Sequence, residues 1–168
     1  KEAIVKKEVL ARLRAGLDEP LGRNPEVGLP SAQPTLPALL RGASYRTVLV
    51  AKWHLGQGQD SGPLKSGYER FYGIMTGGTD YFRHQPNALP DGIGSALLDG
   101  SAPSGDSGYL TQLFGQRAVQ EIRAARADRV PLFMSLHFTA PHWPWEGPED
   151  AAVAAQVARV SGRGHRAV

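Results

Sequence analysis

Residues 45–56 read Tyr45-Arg46-Thr47-Val48-Leu49-Val50-Ala51-Lys52-Trp53-His54-Leu55-Gly56, and this stretch decides the fold. Val48, Leu49 and Val50 form an apolar run with no polar alternation. A strand with one wet face alternates, whereas a strand covered on both faces does not. Tyr45 to Ala51 therefore predicts a strand buried between two layers. The run stops at Lys52, Trp53 and His54, so the strand's carboxyl end delivers an ammonium and an imidazole. Gly56 to Gly67 follows as a turn-rich loop.

Upstream, Thr35 is placed to cap a short helix, with Pro37 in the first turn, where a missing N–H costs nothing. Leu36, Leu39 and Leu40 give that helix an apolar face, and Gly42 ends it. Asp18 to Pro34 is loop-like, and residues 1–15 have helical spacing up to a stop at Gly16. Downstream, Tyr68 to Tyr72 reads as a helical turn. Gly73 to Asp106 is a long Gly-, Ser- and Pro-rich connection whose bulky cluster is Tyr81, Phe82 and His84. Ser107 or Gly108 begins the clearest helix, which runs to about Ala127 with Leu110, Leu113, Phe114, Ala118 and Ile122 on one face. Val130 to Phe138 is a second strand, and Ala140-Pro141-His142-Trp143-Pro144-Trp145 leaves it as a rigid loop. The order helix, strand, long loop, helix, strand predicts an α/β fold with a mainly parallel sheet flanked by helices.

In such sheets ligands gather beyond the carboxyl ends of the strands. One end carries Lys52 and His54; the other carries His137 and, three residues into the loop, Pro141 and His142. An ammonium with imidazoles suits an oxyanion such as sulfate or phosphate. A histidine is also a natural proton donor to a leaving alkoxide. Against this stands the plainer reading, in which the lysine is solvated and Trp53, Trp143 and Trp145 are core.

Composition narrows the field. The 168 residues hold 41% hydrophobic and 21% charged side chains, enough for a buried core and too mixed for a disordered chain. The net charge of +3 is spread out, with no basic run interleaved with aromatics, which argues against nucleic-acid binding. The absence of cysteine excludes disulfides, thiolate metal sites and a cysteine nucleophile within these residues. No apolar run reaches membrane-spanning length, and Lys1 to Lys7 is not followed by the apolar core of a signal peptide. The chain begins at Lys1, not Met, and reads as an internal piece of a longer protein.

Five ordered blocks carry a resemblance. Tyr45 to Gly56 resembles the G-Y-x-T-x-x-x-G-K-W-H-L-G signature of the sulfatases. Pro34 to Arg41 is similar to the helix before that signature. Gly67-Tyr68-Glu69-Arg70-Phe71-Tyr72-Gly73 is similar to the family's G-F-D-x-F-Y-G turn. Asp80-Tyr81-Phe82-Arg83-His84 resembles D-Y-F-x-H, and Pro131 to Pro144 resembles P-F-F-x-x-L-x-F-x-A-P-H-W-P. The resemblance covers about residues 11–150, so 1–168 reads as part of an arylsulfatase-like catalytic domain with atypical ends at 1–10 and 151–168. It implies an alkaline-phosphatase-like sandwich that hydrolyses sulfuric esters. It also implies a formylglycine made from a C/S-x-P-x-R motif, and a calcium ion. By resemblance, Lys52 would contact the sulfate, His54 the formylglycine, and His142 the sulfate and the leaving oxygen. His84 stands with Lys52 and His142 as a candidate substrate contact, or else is a surface loop residue. The implied partner is a sulfate-ester small molecule or a sulfated glycan, with no nucleic acid.

The departures are specific. C/S-x-P-x-R is missing; Ser101-Ala102-Pro103-Ser104-Gly105 has Gly for its Arg and lies downstream of Lys52. The paired aspartates and the Asp-Asn pair that hold calcium in the family have no counterpart, so no metal ligand is assigned. Ser44 and Ala51 stand where the signature has Gly. A dinucleotide loop at Gly56 to Gly62 has the wrong spacing and no following helix. A histidine metal site lacks a nearby acidic ligand, and a serine triad lacks G-x-S-x-G. The rival readings are a truncated, non-catalytic sulfatase remnant, and a phosphonate or phosphate ester hydrolase of the same superfamily.

Overall fold

A run buried on both faces needs two layers, and the computed structural model supplies them. It describes residues 28–30, 32–56, 60–85, 97–142 and 144–153. The elements are α1 (Leu36–Gly42), β1 (Arg46–Lys52), a 3-10 turn (Pro63–Lys65), β2 (Arg70–Ile74), β3 (Leu97–Asp99), β4 (Ala102–Pro103), α2 (Leu110–Asp128), β5 (Leu132–His137) and a second 3-10 turn (Pro148–Asp150). The strands form one mixed sheet in the order β4-β3-β2-β1-β5. β1 runs parallel to β2 and to β5. β3 and β4 add antiparallel to the β2 side. The parallel centre carries the expected α/β architecture, and the long connection contributes the antiparallel edge.

Period-two alternation explains the unbroken run. Val48 and Val50 pack with Tyr72, Tyr81, Leu97, Leu110 and Phe114, under α2. Leu49, between them, faces the other side with Trp53, Tyr68 and Phe71. Burying a side chain of this size contributes roughly 1.5–3 kcal/mol. Thr35 caps α1 as expected: its Oγ1 accepts the Ala38 N–H at 3.2 Å and donates to the Ser66 carbonyl at 2.6 Å.

Three expectations are corrected. Tyr68 to Tyr72 is not a helical turn. Arg70–Ile74 is a strand, because the β1 ladder pairs its backbone and its alternation splits Phe71 and Tyr72 between the two cores. On α2 the buried stripe is Leu110, Phe114, Ala118, Glu121 and Ala125, while Ile122 is 49% exposed. Glu121 tolerates burial because Arg70 and Arg117 reach it at 3.2 and 3.7 Å. On α1, Leu36 and Leu39 are exposed and Pro37 is the buried residue. The helix expected over residues 1–15 lies outside the described residues, as does the chain beyond Val153.

Candidate active site

Because β1 and β5 are parallel, their carboxyl ends lie on the same edge of the sheet. Ala51 stands opposite His137 in the ladder, and the His137 Nδ1 lies 3.2 Å from the Lys52 carbonyl. Beyond β1 the chain stays attached to β2: the Trp53 N–H donates to the Ile74 carbonyl at 3.0 Å and the His54 N–H to the Met75 carbonyl at 3.1 Å. Trp53 is core, its indole N–H donating to the Ser61 carbonyl at 2.9 Å and its ring set edge-on against Tyr68. Gly56, at φ +114, belongs to the turn that follows.

The end of β1 is kinked. Ala51 has φ +86 and His54 has φ +61, both in the left-handed region that glycine enters freely. An L-residue there is disfavoured by about 1–2 kcal/mol. The kink is packed against Gly73, where a Cβ would lie 1.7 Å from the Ala51 carbonyl oxygen. Ser44, the other residue standing where the signature has Gly, is also left-handed, at φ +67. The two signature glycines missing here thus have a conformational reason, and this chain fills both positions with side chains.

His54 is half-buried above Gly77, whose added Cβ would meet the imidazole at 2.5 Å. Its pKa is pushed below the ordinary 6.5, first by burial, then by the Lys52 charge, then by that of His142. Lys52 and His142 are therefore both close enough for their charges to act on His54. His142 is exposed, and its N–H donates to the Thr139 carbonyl at 2.9 Å, just past a cis Ala140–Pro141 bond. Such a cluster of positive and protonatable groups can bind an oxyanion and hand a proton to a departing oxygen.

His84 is placed differently from the expectation. It is 2% exposed, and its Nε2 lies 2.9 Å from the Gly108 carbonyl. Neither a cleft contact nor a surface loop residue fits a ring so buried; it ties the 80–85 turn to the approach of α2. Asp80 holds that turn together: burial pushes its carboxyl up, but hydrogen bonds from Arg83 and Phe82 outweigh this and keep it below its ordinary value. Of the tryptophans, Trp145 is 81% exposed, and Trp143 lies outside the described residues.

Tyr81, Tyr109 and Glu146 were not legible as site residues. The Tyr81 O–H donates to the His142 carbonyl at 3.2 Å, the Tyr81 N–H to Glu146 Oε2 at 2.8 Å, and the Tyr109 O–H to the Glu146 carbonyl at 2.8 Å. No sequence signal marks Glu146, a carboxylate that follows Pro144-Trp145. A depression of about 200 Å3 lined by Arg41, Ser44, Tyr45, Arg46, Glu69 and Val130 lies at the opposite end of the strands and holds none of this cluster. Among the described residues, no group of three or more His, Cys, Asp or Glu could hold a metal ion. No described helix is long and apolar enough to cross a membrane.

The sulfatase family model matches residues 9–164. The chain is 38% identical to arylsulfatase J of Mus musculus over 124 residues, which are 71% of this chain and 21% of the mouse protein. It is 30% identical to the arylsulfatase of Klebsiella aerogenes, over 74% of this chain and 27% of that one. It thus spans about a quarter or less of the length of several curated relatives. Among solved structures it is similar to Ps i-CgsB in complex with k-i-k-neocarrahexaose, with TM-score 0.67 and 28% identity, over 81% of this chain and 33% of that one. It is also similar to BT4656 in complex with its substrate D-glucosamine-2-N,6-O-disulfate, with TM-score 0.50 and 25% identity, over 79% of this chain and 24% of that one. The K-W-H-L-G strand end and the parallel strands that present it agree with these matches, and the chain belongs to the sulfatase family.

Proposed function

We propose that the chain supplies the basic, sulfate-gripping part of a sulfuric ester hydrolase site. The observation that carries this is the parallel pairing of β1 and β5, which brings Lys52 and His54 at the end of one strand to the same sheet edge as the His142 loop after the other. In this reading Lys52 neutralises a sulfate oxygen. His142 binds the sulfate and gives its ring proton to the leaving oxygen as the S–O bond breaks. Burial and the Lys52 charge favour the neutral His54 ring, which can accept a hydrogen bond from the nucleophile's side. In the family, a formylglycine supplies the nucleophile and calcium supplies charge at sulfate. Neither has its residues in this chain, so the chain alone binds sulfate without turning it over. The substrate is a sulfate-ester small molecule or a sulfated glycan, a class supported by the oligosaccharide and disulfated sugar held by the structural relatives.

Histidine side-chain resonances of the whole chain, followed as inorganic sulfate is added at constant ionic strength, test the site. Saturable shifts at His54 and His142, lost in Lys52→Ala, are expected; sulfate shifts confined to other histidines would refute it. Hydrolysis of an aryl sulfate by the purified chain would overturn the division of labour. A second reading, a non-catalytic remnant, is favoured by one observation: Ala51 and Ser44 occupy left-handed positions where the signature has Gly.

A further inference from the structure

His142 is on an exposed loop, and an exposed loop does not hold an imidazole at a fixed distance from a partner unless it is tied down. The ties are on neighbouring elements. Tyr81, 2% exposed, reaches the loop twice: its O–H donates to the His142 carbonyl and its N–H to the Glu146 carboxylate. Tyr109, just before α2, donates its O–H to the Glu146 carbonyl. The two tyrosine rings stack with centroids 5.8 Å apart, and the Leu110 N–H donates to the Tyr81 carbonyl at 2.8 Å. His84 then closes the back of the arrangement through the Gly108 carbonyl.

The geometry points to Glu146, Tyr81 and Tyr109 as positioning residues that strap the His142 loop to the 80–85 turn and to α2, and so hold His142 at the sheet edge where Lys52 and His54 emerge. The strap's role in function rests on the reading that His142 faces bound sulfate; its mechanical part does not. Glu146 is suited to the task because it binds through both its side chain and its backbone. The Tyr81 N–H needs an acceptor oxygen, which glutamine also offers and alanine does not. Burial also pushes the Glu146 carboxyl above its ordinary value, with the nearby Asp80 charge adding to this and Arg83 opposing it.

The test uses the whole chain without sulfate and reads the His54 titration by NMR. His142→Ala sets the scale: removing that charge moves the His54 midpoint upward. Glu146→Ala is expected to give most of the same upward move, because the loop carries His142 away. Glu146→Gln is expected to leave the midpoint near wild type. Amide exchange at His142, whose N–H bonds Thr139, is expected to quicken about fivefold in Tyr81→Phe. A Glu146→Ala midpoint equal to wild type, while His142→Ala raises it, would overturn the strap. So would equal shifts in Glu146→Ala and Glu146→Gln, which would make the negative charge the cause. Failure of wild-type His142 to respond to added sulfate would instead sink the sulfate reading and leave the strap standing.

Discussion

Replacing Gly73 by Ala is expected to be the most damaging single-methyl change among the described glycines. The added Cβ would lie 1.7 Å from the Ala51 carbonyl oxygen, 2.6 Å from its carbon and 2.9 Å from its Cα. Real Cβ contacts essentially never fall under 3.0 Å, so the two strands must part by at least about 1.3 Å. The obstruction is backbone on both sides, so no rotamer relieves it. Parting them strains the next two links, Trp53 N–H to Ile74 and His54 N–H to Met75. Overpacking costs roughly 1–3 kcal/mol, and each lost backbone bond about 1 kcal/mol more. The expected loss is about 3–5 kcal/mol, a large part of a domain's usual 5–15 kcal/mol. Urea unfolding followed by tryptophan fluorescence measures it, since Trp53 is buried beside the affected strand end. Gly115→Ala is the control. It lies within α2 with nothing inside 4 Å of the added Cβ, and should stabilise by about 0.5–1 kcal/mol. A Gly73→Ala variant within about 1 kcal/mol of wild type would refute the account of the kinked strand end.

Ala51→Gly is expected to fall within about 1 kcal/mol of wild type, because relief of the left-handed residue offsets the lost methyl and the looser unfolded chain. The same unfolding assay should show Val50→Ala, on regular strand, costing about 2 kcal/mol or more; equal losses would mean that Ala51 is unstrained. Lys52→Met should raise the His54 midpoint, read by NMR, and a midpoint that does not move would place Lys52 elsewhere. Because the folded pKa of His54 is depressed, the unfolded chain binds the extra proton. Stability should therefore be undiminished by this group above pH 6.5 and decline as pH falls through the lowered folded value, a decline that Lys52→Met weakens.

The parallel centre of the sheet was legible because Val48, Leu49 and Val50 could be satisfied only by cover on both faces. β2 was not legible: Arg70–Ile74 has no strong local preference, and only the ladder with β1 makes it a strand. Glu121 shows the same limit, since helical spacing proposes Ile122 for burial while Arg70, 51 positions away on β2, pairs with Glu121 and, with Arg117 one turn back on α2, lets it be the buried residue. His84 lies in a motif-like segment, yet whether its ring meets solvent or Gly108 depends on where α2 packs.

For this chain, residue order by itself determined the family and made Lys52, His54 and His142 the candidates for its site, because strand ends and signature spacing are local properties. Tertiary structure decided what holds those groups. The kink at Ala51 exists only where Gly73 makes room, and the His142 loop is tied down only where Tyr81, Tyr109 and Glu146 converge. Those contacts join residues 22 to 65 positions apart. Their formation depends on closing the sheet, which no local pattern records.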